Sequence, residues 1–201
     1  MGSENLTQIG ANQMETCELL AGTADGILRI TVSATGEAEV VSRGLKGHAI
    51  RGIAQHPSKP DTFSIAAGLR GWGLHTTCDY GQTFTSLGFE HYRCWDIVVD
   101  PHDPRRMYVY VDSQQCPVYR STDGGASWEP VGSGLPSSRP ADPICRHPGS
   151  PGTLFYTGDY ADGSTLYLSE DSGDSWHRIE LELPEVWRLQ ETPEDRSHPE
   201  G

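Results

Sequence analysis

Ser121-Thr122-Asp123-Gly124-Gly125-Ala126-Ser127-Trp128 sets an acid two residues after a hydroxyl, a glycine two beyond the acid, and a Ser-Trp pair at its end. Each member has a mechanical part. Asp123 can fold its carboxylate back onto backbone N–H groups of the next residues, and Gly125 can take the left-handed conformation of a tight hairpin. Trp128 then enters the following strand and can bury its ring. The pattern returns as Ser169, Asp171, Gly173, Ser175 and Trp176, and, with Phe for Trp, as Thr77, Asp79, Gly81, Thr83 and Phe84.

A second marker repeats with the first. Prolines end short apolar stretches at Pro57, Pro101, Pro148 and Pro193, spaced 44, 47 and 45 residues apart, and the aspartates Asp79, Asp123 and Asp171 are spaced 44 and 48. Between the markers the chain is cut by Gly, Asp, Asn and Pro into short apolar stretches with no sustained helical period, so the chain is all-β. A repeat of about 40 to 50 residues holding four strands is the signature of a β-propeller blade, a sheet that cannot bury its faces without neighbours. In the third unit the strands are expected at 95–99, 107–111, 117–121 and 128–131. Second strands are expected at 62–66, 153–157 and 17–21. The first unit's hairpin has decayed to Thr31-Val-Ser-Ala-Thr-Gly36, with Ser33 in the place of the acid.

The motif resembles the Asp-box or BNR repeat of sialidases, sortilin-like receptors, xyloglucanases and photosystem II assembly factors. The resemblance spans about residues 17–193. It implies a β-propeller of four-stranded antiparallel blades, four in this chain, with the box as a structural hairpin away from the ligand-binding face. Residues 1–15 are expected to be a polar arm, 16–193 the propeller and 194–201 a disordered tail. Val186 to Gln190 reads as an inner strand, with Trp187 and Leu189 in the places of Trp95 and Ile97, and is expected to complete the first blade and close the ring. An incomplete larger ring, or one shared by two chains in a homo-oligomer, is the alternative.

Composition narrows the functional classes. Fifteen basic against twenty-eight acidic residues give a net charge of −13, which repels nucleic acid and anionic membranes unless basic residues segregate on one face. No basic cluster is visible along the sequence. The start carries no basic segment followed by an apolar run, and there is no stretch of eighteen apolar residues, so a soluble, cytoplasmic chain is the expectation. The five cysteines form no C-x-x-C pair and are expected to be free thiols.

Candidate chemistry is sparse. The boxes lack the alternating oxygen donors of a calcium loop, since Tyr80, Gly124 and Ser172 stand between acid and glycine. His75-x-x-Cys78 and His91-x-x-Cys94 mimic a zinc pattern, but the propeller reading places the pairs at opposite ends of a strand roughly 15 Å long, too far for one ion. No metal and no cofactor are expected.

Loops joining second to third strands, and each blade to the next, form the candidate ligand face. They hold Arg70 and Trp72, Glu90, His91, Tyr92 and Arg93, and Asp159 and Tyr160, with Asp25, Asp112, Gln115, Arg139, Asp142 and Asp162 nearby. Aromatic rings beside arginines and carboxylates suit a carbohydrate or a protein partner; polar loops with Trp95 and Trp187 merely filling gaps between blades are the plainer reading. A glycosidase needs two carboxyls roughly 5 to 9.5 Å apart. Glu90, Asp96, Asp142 and Asp159 are the candidates, and no motif marks any of them. The chain also lacks the [FY]-R-I-P segment and the Tyr-Glu pair that a sialidase resemblance would require. The sequence therefore supports a non-catalytic scaffold binding a ligand or protein through its top loops, with a glycan-active hydrolase as the alternative.

Overall fold

Met107 to Val111 reads Met-Tyr-Val-Tyr-Val, and all five side chains are buried. Alternate side chains of such a strand serve opposite faces of the sheet. Met107, Val109 and Val111 pack with Ala66, Leu74, Cys94 and Ile97, whereas Tyr108 and Tyr110 pack with Val118, Ile144, Leu154 and Tyr156. The strand thus belongs to a sheet pressed between two others, which is the arrangement of a propeller blade.

The structure is a computed structural model that describes residues 16–136, 143–147, 149–160, 163–184, 186 and 189, without the side chains of residues 159, 160 and 182. The described residues form strands and turns with no helix. The first sheet holds β1 (Cys17–Thr23), β2 (Gly26–Val32) and β3 (Ala38–Gly44); the second β4 (Ile50–His56), β5 (Lys59–Ala67), β6 (Gly73–Thr77) and β7 (Thr85–Gly88). The third has β8 (Cys94–Val99), β9 (Met107–Val111), β10 (Val118–Ser121) and β11 (Glu129–Pro130); the fourth β12 (Ile144–Arg146), β13 (Leu154–Tyr160), β14 (Gly163–Ser169) and β15 (His177–Leu183). Each sheet is antiparallel in chain order. The innermost strands follow one another, β4 against β8 and β8 against β12. These are the blades of a β-propeller.

The expected strands are found within a few residues, with one informative difference. The outer strand of the third blade pairs only at Glu129 and Pro130, not over 128–131. Pro130 has no N–H to give the ladder, and the next two amides, of Val131 and Gly132, both turn to the Val118 carbonyl at 3.0 Å.

At the end of the third hairpin, the Ser121 hydroxyl donates to Asp123 at 2.8 Å and accepts the Gly125 N–H at 2.8 Å. Asp123 also accepts the N–H of Ser127 at 2.9 Å and its hydroxyl at 2.5 Å. The same set recurs around Asp79 and Asp171. The Thr83, Ser127 and Ser175 hydroxyls and amides, stabilising the charged form, hold the Asp79, Asp123 and Asp171 carboxyls down at about 2. Two successive residues of each box are left-handed, Tyr80 and Gly81, Gly124 and Gly125, Ser172 and Gly173, one more than the single glycine expected from the sequence.

The box aromatics lock each blade to the one before it. A Cβ at Gly44 in the first blade would overlap the Phe84 ring. Trp128 lies edge-on to Phe89 at 5.5 Å, and the Trp176 indole N–H donates to the Val131 carbonyl at 2.8 Å. Between the third and fourth blades, buried Asp100 faces buried Arg146 at 3.7 Å, with Arg106 at 3.6 Å.

The first blade differs. It has three strands among the described residues, and in its hairpin Ser33 accepts the Glu37 N–H at 3.1 Å while Gly36 takes the positive φ, one place later than in the other boxes. The strand expected over 186–190 falls mostly outside the described residues, as do the arm 1–15 and the tail 194–201. Of that strand, Val186 donates its N–H to the Ser164 hydroxyl in the fourth blade at 2.9 Å.

Candidate functional site

The loops at the end opposite the boxes are stitched together by backbone bonds. The Ala49 N–H donates to the Arg70 carbonyl at 2.6 Å, and the Gly68 N–H to the Ala49 carbonyl at 3.1 Å, joining the link between the first two blades to the loop after β5. Asp25 accepts the Gly47 N–H at 2.8 Å, and so serves this joint. Gly71, at φ +55°, brings its backbone so close to His48 that a Cβ would collide with the imidazole.

Trp72 and Tyr92 then stand out from the surface, 40% and 38% exposed. The Arg93 guanidinium lies 5.8 Å from the centre of the Trp72 ring and 3.6 Å from the Asp112 carboxylate. The Tyr92 ring is tied from behind by Phe89 at 5.9 Å. Arg51, on β4, stacks over Trp95 of β8 at 5.0 Å. Of the expected site residues, Trp72 and Arg93 are therefore brought together, with Arg70 on the same loop as Trp72, whereas the Tyr92 ring faces Phe89 and Tyr119 and, with Glu90 and His91, lines a cavity of about 270 Å³ against Trp128. The side chains of Asp159 and Tyr160 are outside the described residues, as are Arg139, Asp142, Asp162 and Trp187.

Ser86 donates its hydroxyl to Glu90 at 2.5 Å, and this bond first holds the Glu90 carboxyl below the usual carboxylate range. A general acid needs the opposite shift. Asp96 accepts the N–H of Ile97 at 2.8 Å. Burial pushes the Cys94 thiol up to about 12, so no thiolate forms there near neutrality. Burial, and then the neighbouring His48, lower the affinity of His75 for a proton; the two imidazoles meet edge-on at 5.0 Å. Among the described residues no group of three His, Cys, Asp or Glu side chains is arranged to hold a metal ion.

One feature of this surface was not legible in the sequence. Arg51 at the start of β4 and Arg93 just before β8 each lie over a tryptophan ring of another element, Trp95 and Trp72.

The family described as Sortilin, neurotensin receptor 3 matches over residues 72–199, more than half of the chain. The chain belongs to the Sortilin-Vps10 family. Comparison with curated protein sequences gives no match. The fold of this Sortilin-Vps10 chain is similar to a GH74 enzyme of Niastella koreensis, at 15% identity and a TM-score of 0.63 over 80% of this chain and 27% of that one. It is also similar to the GH74 xyloglucanase from Xanthomonas campestris, at 21% identity and 0.57 over 81% and 28%. YCF48 from Cyanidioschyzon merolae gives 20% identity and 0.51 over 66% and 37%. At these identities the likeness is one of fold. The chain spans little more than a quarter of either GH74 enzyme.

Proposed function

We propose that this chain is a non-catalytic propeller scaffold that binds a protein or carbohydrate ligand through its top-face loops, with Trp72, Tyr92 and Arg93 as the anchor. The observation that carries the reading is the exposure of Trp72 and Tyr92 beside Arg93, while Trp95, Trp128 and Trp176 pack in the seams between blades. Exposed rings backed by a rigid scaffold supply contact area at low entropic cost, and a guanidinium beside them adds directional hydrogen bonds. The family description names a receptor, in keeping with binding. The depressed Glu90 carboxyl speaks against its use as a glycosidase acid.

The test is a binding screen of the chain against an immobilised peptide library and a set of plant-type oligosaccharides, with aryl glycosides assayed in parallel for turnover. The expected result is at least one saturable binder whose affinity falls about tenfold or more in Trp72→Ala and Arg93→Ala, and no turnover. Binders indifferent to both substitutions overturn the site. Aryl-glycoside turnover that is lost in Glu90→Gln overturns the non-catalytic reading.

A further inference from the structure

Two grooves on the rim of the molecule are related by the repeat, one between the second and third blades, the other between the third and fourth. Aligned on the box aromatics, Tyr119 corresponds to Tyr167, Trp128 to Trp176, and Phe89 to Ser133. In the first groove Phe89, held at φ +66°, lies edge-on to Tyr119 at 5.1 Å and Trp128 at 5.5 Å, and a space of about 270 Å³ remains beside it. In the second, Gly132-Ser133-Gly134 supplies no ring. A cleft of about 420 Å³ is left open against Tyr167 and Trp176.

The rim of the open cleft is charged. Arg120, its side chain only 13% exposed, is held by Glu129 at 2.8 Å, by Asp174 at 2.9 Å and by the Ser172 carbonyl at 2.9 Å. One guanidinium therefore serves two carboxylates, and both of those are more than half exposed. The mouth of the cleft keeps an excess of negative charge, in a chain whose net charge of −13 favours the approach of basic segments.

We infer that the groove between the third and fourth blades is a docking site for an aromatic side chain of a protein partner, flanked in that partner by lysine or arginine. The ring takes the place that Phe89 takes in the neighbouring groove, against the Tyr and Trp faces. The flanking cation meets the outer oxygens of Glu129 and Asp174. The site is separate from the top-face anchor and stands whether or not that anchor binds anything.

The experiment follows the Trp176 indole N–H resonance by NMR during titration with three short peptides, acetyl-Lys-Phe-Lys-amide, acetyl-Lys-Ala-Lys-amide and acetyl-Glu-Phe-Glu-amide, and with methyl glucoside. The first peptide should give a saturable shift, and the others should bind about tenfold more weakly or worse. Ser133→Phe, which builds the neighbouring groove's plug, should abolish the shift. Glu129→Gln with Asp174→Asn keeps oxygen acceptors for Arg120 and should remove the preference for the Lys over the Glu peptide, which decides the matter even if Ser133→Phe does not fold. No shift with the Lys-Phe-Lys peptide, equal binding of the Lys-Ala-Lys peptide, unchanged binding in Ser133→Phe, or saturable binding of the glucoside alone overturns the inference.

Discussion

The hairpins of the first and third blades occupy the same place in the repeat and are held very differently. In the third, Ser121 and Asp123 together satisfy the amides of Gly125 and Ser127 and the Ser127 hydroxyl. In the first, the Ser33 side chain accepts one amide, from Glu37. The second strand of the third blade, β9, is buried on both faces, whereas Leu19, Val40 and Val41 of the first blade are nearly half exposed. The difference teaches that the box fixes the turn, and that the lock between blades comes from the aromatic that follows it. The first unit keeps a hairpin without the full box, but at the equivalent end it has no large ring to send into a neighbour.

The sharpest way to break this comparison is to remove a lock. Trp176→Ala should cost about 3 kcal/mol, the low end for a large aromatic because the ring is partly exposed. Val40→Ala in the first blade should stay within about 0.5 kcal/mol, as for surface substitutions generally. Urea denaturation of both variants checks this, and equal losses would show that seams in all blades matter alike.

Next in size are the acids. Asp123→Ala and Asp171→Ala should each lower the melting temperature by several degrees, and Ser33→Ala should leave it nearly unchanged. Because the box carboxyls are held at about 2 against an ordinary 3.8, their contribution is fully present above about pH 4 and is lost as pH falls through about 2. Melting curves taken from pH 6 to pH 2 should therefore fall less steeply in a variant with Asn at 79, 123 and 171 than in the parent chain.

The smallest effect concerns the residue between acid and glycine. Ser172 sits at φ +64° and Gly124 at φ +77°, so Ser172→Gly should stabilise by about 1 kcal/mol and Gly124→Ser should destabilise by a similar amount. Ala34 in the first blade carries no positive φ, and Ala34→Gly should bring no gain. Thermal unfolding of the three variants separates these outcomes.

The blades were legible because their signals are local. A hydroxyl, an acid and a glycine at fixed spacing write a turn, and an unbroken apolar run such as Met107 to Val111 writes a strand buried on two faces. The site was legible only in part. Trp72, Tyr92 and Arg93 stood in loops the repeat had already placed on one end. Arg51 escaped notice because its place over the Trp95 ring depends on a contact between neighbouring blades that no spacing encodes. The left-handed Tyr80 and Ser172 were missed for the opposite reason. Bulky or hydroxylated residues seldom adopt that conformation, and at these two positions the closed box holds them in it.

Native-state amide hydrogen exchange tests the central claim most directly, because it reads each hairpin separately in the intact chain. The amides of Gly125, Ser127, Gly173 and Ser175, bound by the box side chains, should exchange slower than that of Glu37 by roughly two orders of magnitude. Equal protection in the first, third and fourth blades would contradict the account, since the decayed hairpin would then be held as firmly as the complete ones.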